Sequence, residues 1–224
     1  MKIGSITTGI IADGLVFNID PANRASYPKT GTTATNTINN STGTLQSSGM
    51  FENINSGVFN FDGATNYIDF GNPTELQITG TLTISFWFKS TNTSYQFLVS
   101  KDDATNSCFG VGLRQQKIYA TIYSSGLTDI QTTTTWVDGN WHNVVFIFTP
   151  STSMEIFVDG NSEVIETTGI PASIDNDSVN LNIGRRVNSS RYYTGIIPNA
   201  HIYNRALSAN EVLHNYNALK GRFQ

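Results

Sequence analysis

A two-sheet antiparallel β-sandwich carrying one C-terminal helix is the all-β fold class this sequence predicts, on three observations. First, apolar runs of strand length recur at short intervals, about a dozen in all, with turn residues between them. Second, the run Trp141–Phe148 is apolar on both parities, with Val144, Phe146 and Phe148 on one side and Trp141, Val145 and Ile147 on the other. A strand with two apolar faces belongs in the middle of a layered β protein, not at its rim. Third, helical spacing appears only near the end of the chain, at Val212, Leu213, Tyr216 and Leu219.

Taken in order, residues 1–13 form a mixed arm without helical period, and the sandwich occupies 14–224 as one domain. Such an arm is flexible unless a neighbour pins it. Leu15–Ile19 is the first strand, stopped by Asp20-Pro21. Residues 23–48 are polar and aperiodic, and read as one long loop. Val58–Phe61 and Tyr67–Phe70, joined through Asp62-Gly63, read as a hairpin. Leu82–Phe88 alternates most sharply, with Leu82, Ile84, Phe86 and Phe88 inward and Thr81, Thr83 and Ser85 opposed. Phe97–Ser100, Cys108–Leu113, Ile118–Tyr123 and the Thr-rich Asp129–Val137 follow.

The stretch from Asp138 to Asn161 is the central hairpin, its return strand running from Met154 to Val158. Pro150–Ser153 makes its turn, and Asp159-Gly160 supplies the positive-φ tolerance of the next one. Ser162–Thr167, Val179–Ile183 and Tyr193–Tyr203 complete the strands. The helix, 208–220, opens on the capping box Ser208-Ala209-Asn210-Glu211, and Gly221 stands where it should stop.

The totals set bounds. The chain has 224 residues, 13 basic and 17 acidic, for a net charge of −4. It has no long Lys/Arg run, so nucleic acid is not an expected partner. No stretch reaches the ~20 apolar residues of a membrane span, and no export signal opens the sequence. The single cysteine, Cys108, lies in a strand and reads as a buried, inert thiol.

The segments FNFDGATNYIDFG, TISFWFKS, DGNWHNVVFIFTP, MEIFVDGN, LNIGRR and HIYNRALSANEVLHNYNALKGRF occur in the order seen in the laminin-G-like, concanavalin A-like lectin/glucanase superfamily. The resemblance runs from about Asp13 to Phe223, and it implies a jelly-roll sandwich that in the family often binds sugars or mediates adhesion. The opening DGLVFNIDPANRASYP and the closing RALSANEVLHNYNALKGRF also resemble single-domain members among virion proteins of tailed bacteriophages. That likeness implies a non-enzymatic structural protein of a phage particle, in outer head (capsid) decoration or tail. It would be made in the host cytoplasm, sit at the virion surface in many copies, and dock onto other virion proteins. The alternative is a lectin-like module recognising host-surface glycans.

The family's calcium places read Ala64-Thr65-Asn66-Tyr67 and Ile197-Pro198-Asn199-Ala200 here, amides and a proline where a hard cation wants carboxylates. Asp102, Asp103, Asp175 and Asp177 are the remaining acidic pairs that could hold Ca2+. Hydrolysis by the glucanase route needs two carboxyls on one face. The nearest imitation is Glu155 with Asp159, while Glu163 and Glu166 have opposite parity, so no catalytic residue is assigned. His142, His201 and His214 are scattered, without acidic or cysteine partners at ligand spacing, and His142 reads as structural. The candidate ligand-binding residues are aromatics near strand ends or loops, Tyr95, Tyr123, Trp136, Tyr192 and Tyr193, whose rings could stack on sugars. Trp87 and Trp141 read as core.

Overall fold

The computed structural model describes residues 9–189 and 191–223, so most of the 1–13 arm lies outside the described residues. Among the described residues, sixteen strands build two antiparallel sheets. They are β1 (Leu15–Ile19), β2 (Thr33–Thr35), β3 (Thr42–Leu45), β4 (Phe51–Glu52), β5 (Val58–Asp62), β6 (Ile68–Asp69), β7 (Leu82–Lys89) and β8 (Gln96–Asp102). The second half adds β9 (Ser107–Arg114), β10 (Lys117–Tyr123), β11 (Leu127–Gln131), β12 (His142–Thr149), β13 (Ser153–Val158), β14 (Asn161–Glu166), β15 (Leu181–Ile183) and β16 (Thr194–Tyr203). The first sheet runs β14-β13-β12-β7-β16-β5-β4, with β1 also on β16. The second runs β11-β10-β9-β8-β15-β6-β3-β2.

Alternation along the strands places the interior. Ile84 of β7 is paired with Phe146 of β12 and Ile202 of β16, so one face of the first sheet is continuously apolar. Val111 and Ala120 answer it from the second sheet, and all of these belong to one buried cluster. Apolar area removed from water at about 25 cal/mol per Å² is the driving force for this stacking. β12 is apolar on both faces, as its sequence predicts, because Val145 and Ile147 enter a second cluster behind the sheet. That cluster contains Phe157, Tyr203, Leu207 and Val212 and is edged by Ile11 and Leu15.

The helix α1 (Ala209–Leu219) covers this rear cluster. Ser208 accepts from the Glu211 amide and Glu211 accepts from the Ser208 amide, completing the capping box. A cap of this kind contributes about 1 kcal/mol. The chain does not stop at Gly221 but tightens into a 3-10 turn, Lys220–Arg222. Arg222 then reaches Asp20 at 2.6 Å, and Trp87 is stacked on Tyr216 with Phe223 4.6 Å away. The described part of the arm is pinned by the same helix: the Ile11 amide donates to Asn215 Oδ1 at 2.8 Å, and the Tyr203 hydroxyl donates to the Ile11 carbonyl at 3.0 Å.

Four expectations are corrected. FNFDGATNYIDFG is not a hairpin: β5 pairs with β4 and β16 in the first sheet, whereas β6 pairs with β3 and β15 in the second. The polar 23–48 segment is not one loop but contains the edge pair β2–β3. Only the front of Asp129–Val137 is strand, ending at Gln131. Trp141 is half-buried against Phe223 rather than enclosed in the core.

Candidate functional site

β10 sends Ile118, Ala120 and Ile122 into the sandwich, so strand alternation turns Tyr119, Thr121 and Tyr123 to the outer face of the second sheet. Opposite Thr121 and Tyr119, β9 carries Gly110 and Gly112. A Cβ on Gly110 would stand 2.8 Å from the Phe97 ring, and one on Gly112 would stand 2.8 Å from the Tyr119 ring. The missing side chains let both rings lie flat on the sheet. Phe97 and Tyr119 meet edge to face at 5.5 Å, and Tyr95 packs over both at 5.6 and 5.2 Å. The Tyr95 and Tyr119 hydroxyls are hydrogen-bonded.

The connection 184–193 lies across this floor. Its ends are drawn together by the isolated bridge between Arg185 and Tyr192 and by the Tyr193 amide donating to Gly184 O at 2.8 Å. It is fastened to β8 by Ser100 Oγ donating to Arg185 O at 2.7 Å and by the Val187 amide donating to Asp102 O at 3.1 Å. From this mount Arg185 stacks 3.3 Å over Tyr67, Arg191 3.8 Å over Tyr95, and Arg186 lies 5.6 Å from Phe97. Arg114, from the end of β9, sits 4.8 Å over Tyr119. Each is a guanidinium over an aromatic ring, a contact that attracts the cation to the ring face.

Asp102 is the anchor beneath. Fully buried, it stands 2.8 Å from Arg186 Nε and accepts from Ser107 Oγ at 2.6 Å, Tyr123 OH at 3.2 Å and the Ala104 amide at 2.8 Å. Burial works to lower the Arg186 pKa, but the Asp102 carboxylate outweighs it and raises it. Burial, with Asp102 beside it, pushes the Tyr123 phenol up, and burial with the Tyr95 hydrogen bond pushes Tyr119 up strongly. These phenols therefore stay protonated near neutral pH, and the face offers ring planes and N–H donors.

Of the aromatics singled out in the sequence, Tyr95 and Tyr123 belong to this face, and Tyr192 borders it with its ring 6.2 Å from Tyr67. Trp136 does not: it closes the rim, edge-on to His142 at 5.0 Å. Tyr193 is corrected outright, being fully buried with its hydroxyl donating to Lys89 O at 2.9 Å, where no ligand can stack on it. Tyr119, Tyr67 and the four arginines were missed; the outward parity of Tyr119 and the Arg185-Arg186 pair were the available signals.

The acidic candidates for calcium are engaged by the protein's own donors. Asp177 accepts from the Ser107 amide at 2.7 Å, Asp175 from the Ser125 amide at 2.8 Å, and Asp103 from the amides of Thr105 and Asn106. Asp62, beside the family's first calcium place, accepts from the amides of Ala64, Thr65 and Asn66. Burial opposes its ionisation, but these bonds and the Thr65 hydroxyl hold its carboxyl far below the usual range. Among the described residues no group of three or more His, Cys, Asp or Glu is placed to hold a metal ion.

Glu155 accepts from Ser162 Oγ, and Asp159 is hydrogen-bonded to His142. His142 does have acidic partners, contrary to the sequence reading: Asp159 at 2.9 Å and Asp138 at 3.1 Å. Burial alone would lower its pKa, but the two carboxylates outweigh it and hold it above the ordinary value. Cys108 is buried, and burial pushes its thiol up. Among the described residues no helix is long and apolar enough to cross a membrane.

Solved structures share this architecture. The binding domain of Paraclostridial Mosquitocidal Protein 1 superposes with a TM-score of 0.73 at 14% identity, covering 92% of this chain and 52% of that one. The receptor binding domain of botulinum neurotoxin C/D mosaic serotype gives 0.73 at 13%, with 92% and 52% covered. The binding domain of Botulinum Neurotoxin DC in complex with SialylT gives 0.71 at 12%, with 93% and 52% covered. At such identities the likeness is one of fold, and the chain spans about half the length of each. No curated protein matches the sequence. Residues 62–213, from the end of β5 into α1, match the family described as the concanavalin A-like lectin/glucanases superfamily, and the chain belongs to that superfamily.

Proposed function

We propose that the protein is a carbohydrate-binding module and that the outer face of its second sheet is the recognition surface. One observation carries the reading: the guanidiniums of Arg185 and Arg191 lie over the half-exposed Tyr67 and Tyr95, next to the half-exposed Tyr192 ring, on a rigid floor of strands. Sugars are bound in general by an aromatic plane under the apolar face of the pyranose and by planar donors at its hydroxyls. Membership of a lectin-containing superfamily supports it, as does a structural neighbour solved in complex with SialylT. A glycan array with and without calcium tests it. Binding should be calcium-independent, and Tyr95→Ala should weaken it by about tenfold. An array blank under both conditions would overturn the reading.

A second role is compatible with the first, docking in many copies on the surface of a phage particle. What favours it is that the two segments resembling virion proteins fold onto each other, Arg205 reaching Asp13 at 2.8 Å and Arg222 reaching Asp20 at 2.6 Å. Antibody labelling of purified particles decides it: label on head or tail is expected, and unlabelled particles sink this role alone.

A further inference from the structure

Resting on the carbohydrate reading, we infer that the face selects glycans bearing a carboxylate, and that Arg191 is the residue that takes it. Three of the four arginines on the face are already matched. Arg114 pairs with Asp129 at 2.8 Å, Arg186 with Asp102 at 2.8 Å, and Arg185 has Asp69 at 3.8 Å and Asn182 at 2.9 Å. Arg191 lies 3.8 Å over the Tyr95 ring, and its guanidinium has no carboxylate or hydrogen-bond partner among the described residues.

Its surplus positive charge stands on a protein whose net charge is −4, so attraction for an anion is local to this spot rather than a property of the whole surface. The backbone around it is fixed, since Arg191 O accepts from the Phe97 amide and the Arg191 amide donates to Ser189 Oγ. A guanidinium packed on a ring is partly ordered before it forms two parallel bonds to a carboxylate. Tyr192, the next residue, has a partly exposed ring 6.2 Å from Tyr67 and supplies a plane on the same face for the sugar that carries the acid. Uronic and sialic acids have this combination of pyranose ring and ring-attached carboxylate; neutral sugars have only the first half.

The test is an array on which each carboxylated glycan is printed beside its carboxyl-reduced, neutral counterpart. The wild-type protein should prefer the acid member of at least one pair by tenfold or more, roughly the strength of a hydrogen-bonded charge. Arg191→Gln should bring that member down to the level of its neutral partner measured on the same variant. Arg191→Lys, keeping charge without the planar fork, should restore only part of the preference. Equal binding within every pair, a preference that survives Arg191→Gln, or binding confined to sulfated glycans would overturn the inference while the carbohydrate reading stands. An array blank for acid and neutral members alike would instead remove the carbohydrate reading itself.

Discussion

On the outer face of the first sheet, Val145, Ile147, Phe157 and Tyr203 are covered by Leu207, Val212 and the Ile11–Leu15 segment. On the outer face of the second sheet, Phe97 and Tyr119 are just as thoroughly buried, yet what covers them is Tyr95 and the side chains of Arg186 and Arg114. The same pleat has turned aromatic residues outward on both sides. A main-chain lid removes apolar area from water permanently and adds to stability. The Arg114 lid, a third exposed, keeps its charged edge in water and can take a ligand without unpacking anything, whereas Arg186 is fastened to the buried Asp102. Burial of an aromatic ring is therefore a poor guide to its role until the covering group is known.

The contrast can be broken from either side. Trp87→Ala removes the ring stacked on Tyr216 and packed on Phe223, and should cost about 3–5 kcal/mol in urea unfolding. Glycan affinity of the remaining folded protein should not change. Asp102→Ala, which strands the buried Arg186 cation, should cost about 3 kcal/mol. Here affinity should fall as well, because Asp102 fastens the 184–193 connection. If both variants change affinity alike, the two faces are not independent.

A subtler probe is His201, which faces the sealed side beside Ser85. Burial, with a lesser contribution from Arg222, pushes its pKa down to about 4. The unfolded chain, with a histidine pKa of about 6.5, binds more protons between those values. The contribution of His201 is thus complete above pH ~6.5 and lost as pH falls toward about 4. His142 has the opposite sign: its pKa is raised, so its contribution is present below pH ~6.5 and lost as pH climbs through the folded value. His201→Gln should flatten the acid limb of the stability profile, and His142→Gln the limb above. An NMR titration placing His201 near its ordinary value would show that the lid does not exclude water.

Much of the fold was legible because its signals are local and repeated. Alternation in Leu82–Phe88, two-faced apolarity in Trp141–Phe148 and the Ser208/Glu211 box each need only neighbouring residues. The errors fall where the deciding partner is distant. β2 and β3 hide in a polar stretch because, as short edge strands, they bury little beyond Ala34 and Leu45. Asp62-Gly63 carries an ordinary turn signal, and only the pairings with β16 and β15 reveal that the chain changes sheets there.

The site was half legible for the same reason. Tyr95, Tyr123 and Tyr192 could be picked out as aromatics near strand ends. Three of the four arginines on the surface come from one connection whose place on the sheet is set by Asp102, 84 positions before Arg186. Tyr192 and Tyr193 show how sharp the distinction is: adjacent in sequence, one edges the face and the other is enclosed beside Phe61 at 5.7 Å.

The segments at both limits of the described chain, Ile11 at one and Phe223 at the other, pack on the first sheet, on the side of the molecule away from the arginines. A tether, a sensor chip or a partner domain joined at either limit would therefore leave the tyrosines and guanidiniums pointing outward.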